Sequence, residues 1–287
     1  MNIHLSCNVG SPGSQRIIEY PPKGGVFVGG FRMKFWMGTH MLSHIERTHV
    51  PLFISFRQLR KRKKKPFKQR GEIAIDSGGF TELNLYGEWK TTPEEYVNEL
   101  KRIQRLGLKF SWASPQDWMV EPFMLEKTGL SIEEHQKRTV ENLIKLRSLT
   151  NEIHFIPVLQ GQTIEDYFAH FEMYEIANFD LRNEKLVGVG SVCRRQSTDE
   201  IGSIMKGLAS KGLKLHGFGV KKGGIEKYGG LLSSSDSLAW SFNGRYAKER
   251  CSKCQTKDPG PKNCANCLEY ALEWRESIIS RLSGEAV

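Results

Sequence analysis

Three aspartates in this 287-residue chain each close a short apolar run. Asp76 ends EIAID and is followed by Ser77-Gly78-Gly79-Phe80, Asp117 lies just beyond KFSWA, and Asp236 ends LLSSSD. Gln160-Gly161 closes IHFIPVL, Gly188-Val189-Gly190-Ser191 closes a further run, and His216 to Gly219 another. A strand-ending Asp or Gly often does no more than cap a helix or make a turn. Three carboxylates, a glutamine and several glycines at the same place in the pattern weigh toward one shared site. Two carboxyls acting on one glycosidic carbon can serve as acid and nucleophile, so a barrel glycosidase using Asp76 and Asp236 is one reading.

A second constellation is Cys251-Ser-Lys-Cys254, nine residues, then Cys264-Ala-Asn-Cys267. Four thiolates in two CxxC pairs can close a tetrahedral zinc site, and with every position filled such a site is structural. No histidine follows His216, so an all-cysteine site is the natural inventory. Two disulfides are the competing reading. Six cysteines, four of them within residues 251–267, favour a reducing, cytoplasmic setting and a metal instead (a host cytoplasm, were the chain phage-encoded). Cys7 and Cys193 stand alone and read as ordinary thiols.

Elements that could position these residues alternate along the chain. Short apolar runs at 35–38, 52–55, 72–76, 109–113, 153–159, 186–190, 214–219 and 231–236 read as buried parallel strands. Thr92-Pro93 opens a helix over 93–106, Ser131-Ile-Glu-Glu134 one to about 149, Thr163-Ile-Glu-Asp166 another, and 197–211 a fourth. Helices after the first, second and seventh strands read as short. Eight strands alternating with helices predict a (β/α)8 barrel, whose functional residues lie where the polar residues above fall. An open doubly wound sheet is the weaker alternative, because no glycine-rich dinucleotide fingerprint follows an early strand. The expected division is a barrel over 1–245 and a zinc-binding segment with a terminal helix over 246–287.

Composition excludes other classes. At 39% hydrophobic and 26% charged the chain lies well away from disordered compositions. No apolar run approaches the roughly 18–20 residues of a membrane span, and MNIHLSCNVGSPGSQ has no signal-peptide character. The formal charge of +10 is concentrated: Arg57 to Arg70 holds nine basic residues and no acid, and the rest carries 33 basic against 32 acidic. A run after the second strand, Arg60-Lys61-Arg62-Lys63-Lys64-Lys65 at its centre, suits a grip on a sugar–phosphate backbone. A solvated charged face is the bland alternative.

Asp76-Ser-Gly-Gly-Phe80, Leu159-Gln160-Gly161, Gly188-Val-Gly-Ser191, the strand ending at Asp236 and the cysteine tail together resemble tRNA-guanine transglycosylases. DSGGFTEL, GVGSVCRR and SSSDSLAWS are more similar to the compact phage-type, DpdA-like relatives that exchange guanine for a 7-deazaguanine in DNA. The resemblance implies an irregular TIM-type barrel with one structural Zn2+ on Cys251, Cys254, Cys264 and Cys267. It implies Asp236 as nucleophile, forming a covalent sugar intermediate, and Asp76 as general acid/base. It further implies base contacts from Ser77, Gly78, Gly79, Phe80, Asp117, Gln160, Gly188, Val189, Gly190 and His216. Asp117 would accept from the N1–H and amino group of the base, Gln160 and backbone N–H groups of 188–190 would address its O6 side, and Phe80 and His216 would stack on it. Thr81 stands where the tRNA enzymes carry glutamine, and the CxxC-x9-CxxC tail replaces their three cysteines and one histidine. The expected partners are duplex DNA with its target base flipped and a 7-deazaguanine such as preQ0, with no membrane and with a homodimer allowed. The same chemistry on tRNA and an inactive nucleic-acid-binding zinc protein are the alternatives.

Overall fold

In the computed structural model, which describes residues 25–28, 31–256 and 261–282, all eight expected strands are present. They are β2 (Phe31–Thr39), β3 (Leu52–Ser55), β4 (Ile73–Asp76), β5 (Trp112–Ala113), β6 (Val158–Leu159), β7 (Val187–Val189), β8 (Leu215–Gly217) and β9 (Leu232–Ser237). A strand absent from the sequence expectation, β1 (Gly25–Val28), pairs antiparallel with β2. The other pairings are parallel, in the order β5-β4-β3-β2-β9-β8-β7-β6. First and last of the eight therefore lie side by side, with Trp36 opposite Asp236. A doubly wound sheet would reverse order at its middle, whereas this parallel sheet curls in chain sequence, as in a TIM-barrel-like fold.

β5 and β6 are shorter than the apolar runs predict. Pro157 interrupts the second of these runs, since proline has no N–H to give to a ladder. The backbone nevertheless runs on alongside: a parallel bridge pairs Ala113 with Phe155, Ala113 N–H donates to His154 C=O at 2.9 Å, and Ile156 N–H donates to Ala113 C=O at 3.1 Å.

Alternation along each strand sorts side chains into two layers. Trp36, Phe53, Ala74, Trp112 and Ile156 meet inside the curl, with Phe218 against them. Phe35, Met37, Ile54, Ile73, Ile75, Val187 and Val189 face the helices and join the main core. The helices begin where cap chemistry places them. Thr92 and Thr163 form reciprocal capping boxes at Pro93–Arg105 and Ile164–Ile176, and the Ser131 hydroxyl accepts from Glu134 N–H at the start of Ile132–Leu149. The helices after β2, β3 and β8 are short, as expected: a 3-10 turn Leu42–Glu46, then Phe56–Leu59 and Lys222–Tyr228. Late in the chain, the helix Leu268–Leu282 packs back on the sheet, with Trp274 against Phe35. No helix among the described residues is long and apolar enough to cross a membrane.

Candidate active site

The carboxyl-terminal ends of the strands surround a cavity of about 1080 Å³. Asp76 and Asp236 share its wall with Ser77, Gly79, Phe80, Asp117, Gln160 and Gly190. The rim pattern thus converges in space.

Asp236 is 7% exposed. Its Oδ1 accepts from Gly219 N–H at 3.0 Å and lies 3.4 Å from His216 Nε2. Asp76 accepts hydrogen bonds from Gly78 N–H and the Ser55 hydroxyl, but burial, with the Asp236 charge added, pushes its carboxyl above the usual range. Gly78 sits at φ +83°, a left-handed backbone that favours glycine, and this turn aims its N–H at Asp76 and starts the helix Gly79–Tyr86. Burial, then the nearby Asp76 charge, pushes the Asp117 carboxyl up to about 7. Its Oδ2 accepts from Gln160 Nε2 at 2.6 Å. Gln160 is fully buried and lies flat on Gly190: a Cβ there would meet the Gln160 amide nitrogen at 2.3 Å. Phe80, 47% exposed, presents a ring to the cavity that a base can stack on.

Several expected residues occupy other places. His216 is fully buried one side-chain layer below the wall, against Phe53, Trp112 and Phe218. Phe218, two residues on and on the same face of the chain, takes the wall position, in space left free by the missing Cβ of Gly188. Val189 points into the helix-side core. The Gly188 and Gly190 N–H groups donate to Pro157 and Leu159 C=O at 2.8 and 2.9 Å, so they are not free for the O6 side of a base. In the basic run, Arg60, Lys61 and Lys63 line the cavity. Arg62 turns inward to Glu46 at 2.8 Å and over the Phe67 ring, so it holds the loop together and is not a free cation. Lys64 and Lys65 are exposed outside the wall. Sequence reasoning missed Glu121, Ser55 and His40, all in the wall, which Arg57 from the start of the basic run also lines. Glu121 precedes a helix-opening proline, where an acid reads as ordinary first-turn chemistry.

The four late cysteines come together, and Cys7 lies outside the described residues. Cys251, Cys254 and Cys267 form a group able to hold a metal ion. Sγ separations are 3.4 Å for 254–267, 3.6 Å for 251–267 and 3.7 Å for 264–251. A disulfide needs about 2.05 Å, while four thiolates on zinc at about 2.3 Å stand about 3.8 Å apart. These spacings fit a metal. The Cys264–Cys267 knuckle is tied to the helix that follows Asp236: Cys264 N–H donates to Gly244 C=O at 2.9 Å and the Ser241 hydroxyl to Ala265 C=O at 2.8 Å. Asn266 also meets His40 Nε2 at 2.7 Å.

The family described as DpdA, DeoxyPurine in DNA protein A, matches residues 31–285. No curated protein matches the chain.

Proposed function

The chain belongs to the DpdA family of transglycosylases, and from that premise we propose that it exchanges guanine in DNA for a 7-deazaguanine through a covalent aspartyl–sugar intermediate. The observation that carries this reading is the meeting of Asp76 and Asp236 on one cavity wall with the Asp117–Gln160 pair. Asp236 attacks C1′ of the target nucleotide while Asp76, whose environment favours a held proton, protonates the departing guanine. The incoming base then returns its proton to Asp76 and displaces Asp236 from the sugar. Gly219 N–H holds the Asp236 carboxylate in line for both displacements.

Base recognition rests on Asp117 as acceptor for the N1–H and amino group, which adenine lacks in that arrangement, and on Phe80 as a stacking face. Since C1′ is shielded in a duplex, the target nucleotide is flipped into the cavity, at a cost of a few kcal/mol. Arg60, Lys61 and Lys63 offset that cost through backbone contacts. One zinc ion on Cys251, Cys254, Cys264 and Cys267 would supply structural cross-linking alone, bracing the helix after Asp236. The curled sheet is read as a closed, irregular (β/α)8 barrel over 1–245, with 246–287 as its zinc segment.

The deciding experiment is incubation with labelled preQ0 and either duplex DNA or tRNA, followed by digestion to nucleosides. Label in DNA deoxynucleosides supports the reading; label confined to tRNA overturns the choice of DNA.

A further inference from the structure

Three apolar side chains lie on the open side of the helix that follows Asp236. Within Ala239–Tyr246 the buried residues are Trp240, Ser241 and Gly244. Trp240 Nε1 donates to Gly38 C=O at 2.7 Å, and Gly244 C=O accepts from Cys264 N–H, so this face is fixed against β2 and the cysteine knuckle. Leu238, Phe242 and Tyr246, four apart, share the other face, at 43, 64 and 67% exposure. The two rings stand 4.8 Å apart, inclined at 52°. A single exposed apolar residue needs no explanation. An unburied stripe with two aromatic rings does, because it adds little to the core.

Its position supplies one. Leu238 lines the cavity two residues after Asp236, and the stripe continues that wall outward for about 12 Å. Sheet order sets this helix and the basic loop on either side of the loop after β2, since β3, β2 and β9 are neighbours. A strand with one nucleotide in the cavity would therefore have cations on one side and aromatic rings on the other. Arg245 and Lys248 are exposed at the outer end of the stripe, with Glu249 the one acid between 245 and 250. A self-complementary contact with a second copy would set these cations against their own images, whereas a polyanion neutralises them. A paired duplex covers its base faces, so the rings suit bases that are unpaired.

We propose that Leu238, Phe242 and Tyr246 form a track on which unpaired nucleotides beside the target base stack. The inference rests on the base-exchange reading given above and deepens it: the substrate strand is opened over more than the target nucleotide. A track of about 12 Å spans some three stacked nucleotides at about 3.4 Å each. Opening costs least where the strand is already unpaired, so single-stranded or bubble DNA is the preferred substrate class. The track only binds, and no bond is made or broken on it.

Fluorescence anisotropy with three labelled oligonucleotides of one sequence tests this: a full duplex, a duplex mismatched on both sides of the target guanine, and the single strand. The unaltered protein should bind the mismatched and single-stranded forms more tightly than the duplex. Phe242→Ala and Tyr246→Ala should each remove about tenfold of that advantage, and Phe242→Trp should retain it. Ile176→Ala, 81% exposed at the end of the helix Ile164–Ile176, is the control and should change none of the three affinities. Equal affinity of the unaltered protein for duplex and mismatched DNA, or an unchanged advantage in both alanine variants, overturns the track. Sedimentation of the same samples decides on a second copy: a dimer lost in Phe242→Ala with oligonucleotide affinity unaltered also overturns it. Label exchange on these oligonucleotides separates the two readings. Stripe-dependent binding without exchange defeats the base-exchange chemistry and leaves the track standing, whereas exchange with stripe-independent binding defeats the track alone.

Discussion

Gly190→Ala adds one methyl against Gln160, where the proposed function has the base edge read, and the structure sets its consequence. The new Cβ would stand 2.3 Å from Gln160 Nε2 and 2.6 Å from both Cδ and Oε1, far inside contact distance. Gly190 is on the β7 side of a fully buried amide, so Gln160 has to yield. If it moves, its bond to Asp117 at 2.6 Å and its bond from Ser191 at 2.7 Å are both lost. The first involves a carboxylate and is worth about 1.5–3 kcal/mol, the second about 0.5–1.5 kcal/mol. If Gln160 stays, overpacking costs about 1–3 kcal/mol. Either route deforms the face against which Asp117 meets the base, and one to two factors of ten in base affinity follow from about 1.4–2.8 kcal/mol. Losing the Gln160 donor also moves the Asp117 carboxyl further up from about 7. We expect the KM for the incoming base to rise about 10- to 100-fold, and thermal unfolding to come a few degrees lower. Gly202→Ala is the control. It lies in the helix Asp199–Ser210, where a Cβ meets nothing nearer than 3.9 Å, and should leave KM unchanged. Wild-type KM and kcat in Gly190→Ala would refute the packing argument.

Other perturbations separate the remaining roles. Asp236→Asn should abolish a denaturation-resistant protein–DNA adduct, whereas a persisting adduct assigns the nucleophile elsewhere. Replacing both Lys61 and Lys63 with glutamine should flatten the log-affinity versus log-salt slope by up to about 2, at roughly 0.9 per phosphate contact; an unchanged slope removes them from the backbone grip. Arg62→Gln, by contrast, should lower the unfolding temperature through loss of its Glu46 bond more than it changes the salt slope. Cys254→Ser or chelation should take bound zinc from about one per chain toward zero and reduce exchange, because the knuckle braces the helix after Asp236. Retained activity in a zinc-free protein would count against that brace. In the folded state Asp117 holds its proton up to about pH 7, against about 4 unfolded, so the folded form binds more protons between those limits. Its contribution to stability is therefore lost as pH rises through that window, and urea titrations at pH 5 and 7 should show a smaller difference in Asp117→Asn.

Strand positions were legible because buried parallel strands have to be apolar runs, and the rim residues because each follows such a run directly. The Cys251–Cys267 pairs were legible from spacing alone. Depth was not. His216 and Phe218 share a face of the chain, and only the pairing register decides that the ring at 218 forms the wall while that at 216 lies beneath it. Prior use of backbone groups was equally hidden. GVGS reads as a free turn, yet its Gly188 and Gly190 N–H groups already bond β6. Arg62 sits among look-alike cations, and its burial follows from a distant partner, Glu46, which no local pattern selects. Glu121 reaches Ser191 across 70 positions of sequence.

Sheet order gives the cationic run a mechanistic place that charge counting alone does not. Asp76 closes β4 and Asp236 belongs to β9, and between them in the sheet lie only β3 and β2. The loop after β3 carries Arg60, Lys61 and Lys63, and the one after β2 carries His40, so the cations stand on the same arc of rim as the two carboxyls. A mouth holding Asp76, Asp117 and Asp236 repels a polyanion, and repulsion from exposed carboxylates is weakened by salt at about 8–10 Å. The opposing charge is smaller still, because burial pushes Asp76 and Asp117 toward the neutral form. A phosphate held on that arc would therefore meet attraction from the basic loop with little opposing charge, and on the proposed reading its sugar would lie between Asp236 and Asp76. Moving the same cations to the β6–β7 side by charge-swap variants should restore salt-dependent binding without restoring exchange, since the sugar would then approach from the side of Gln160.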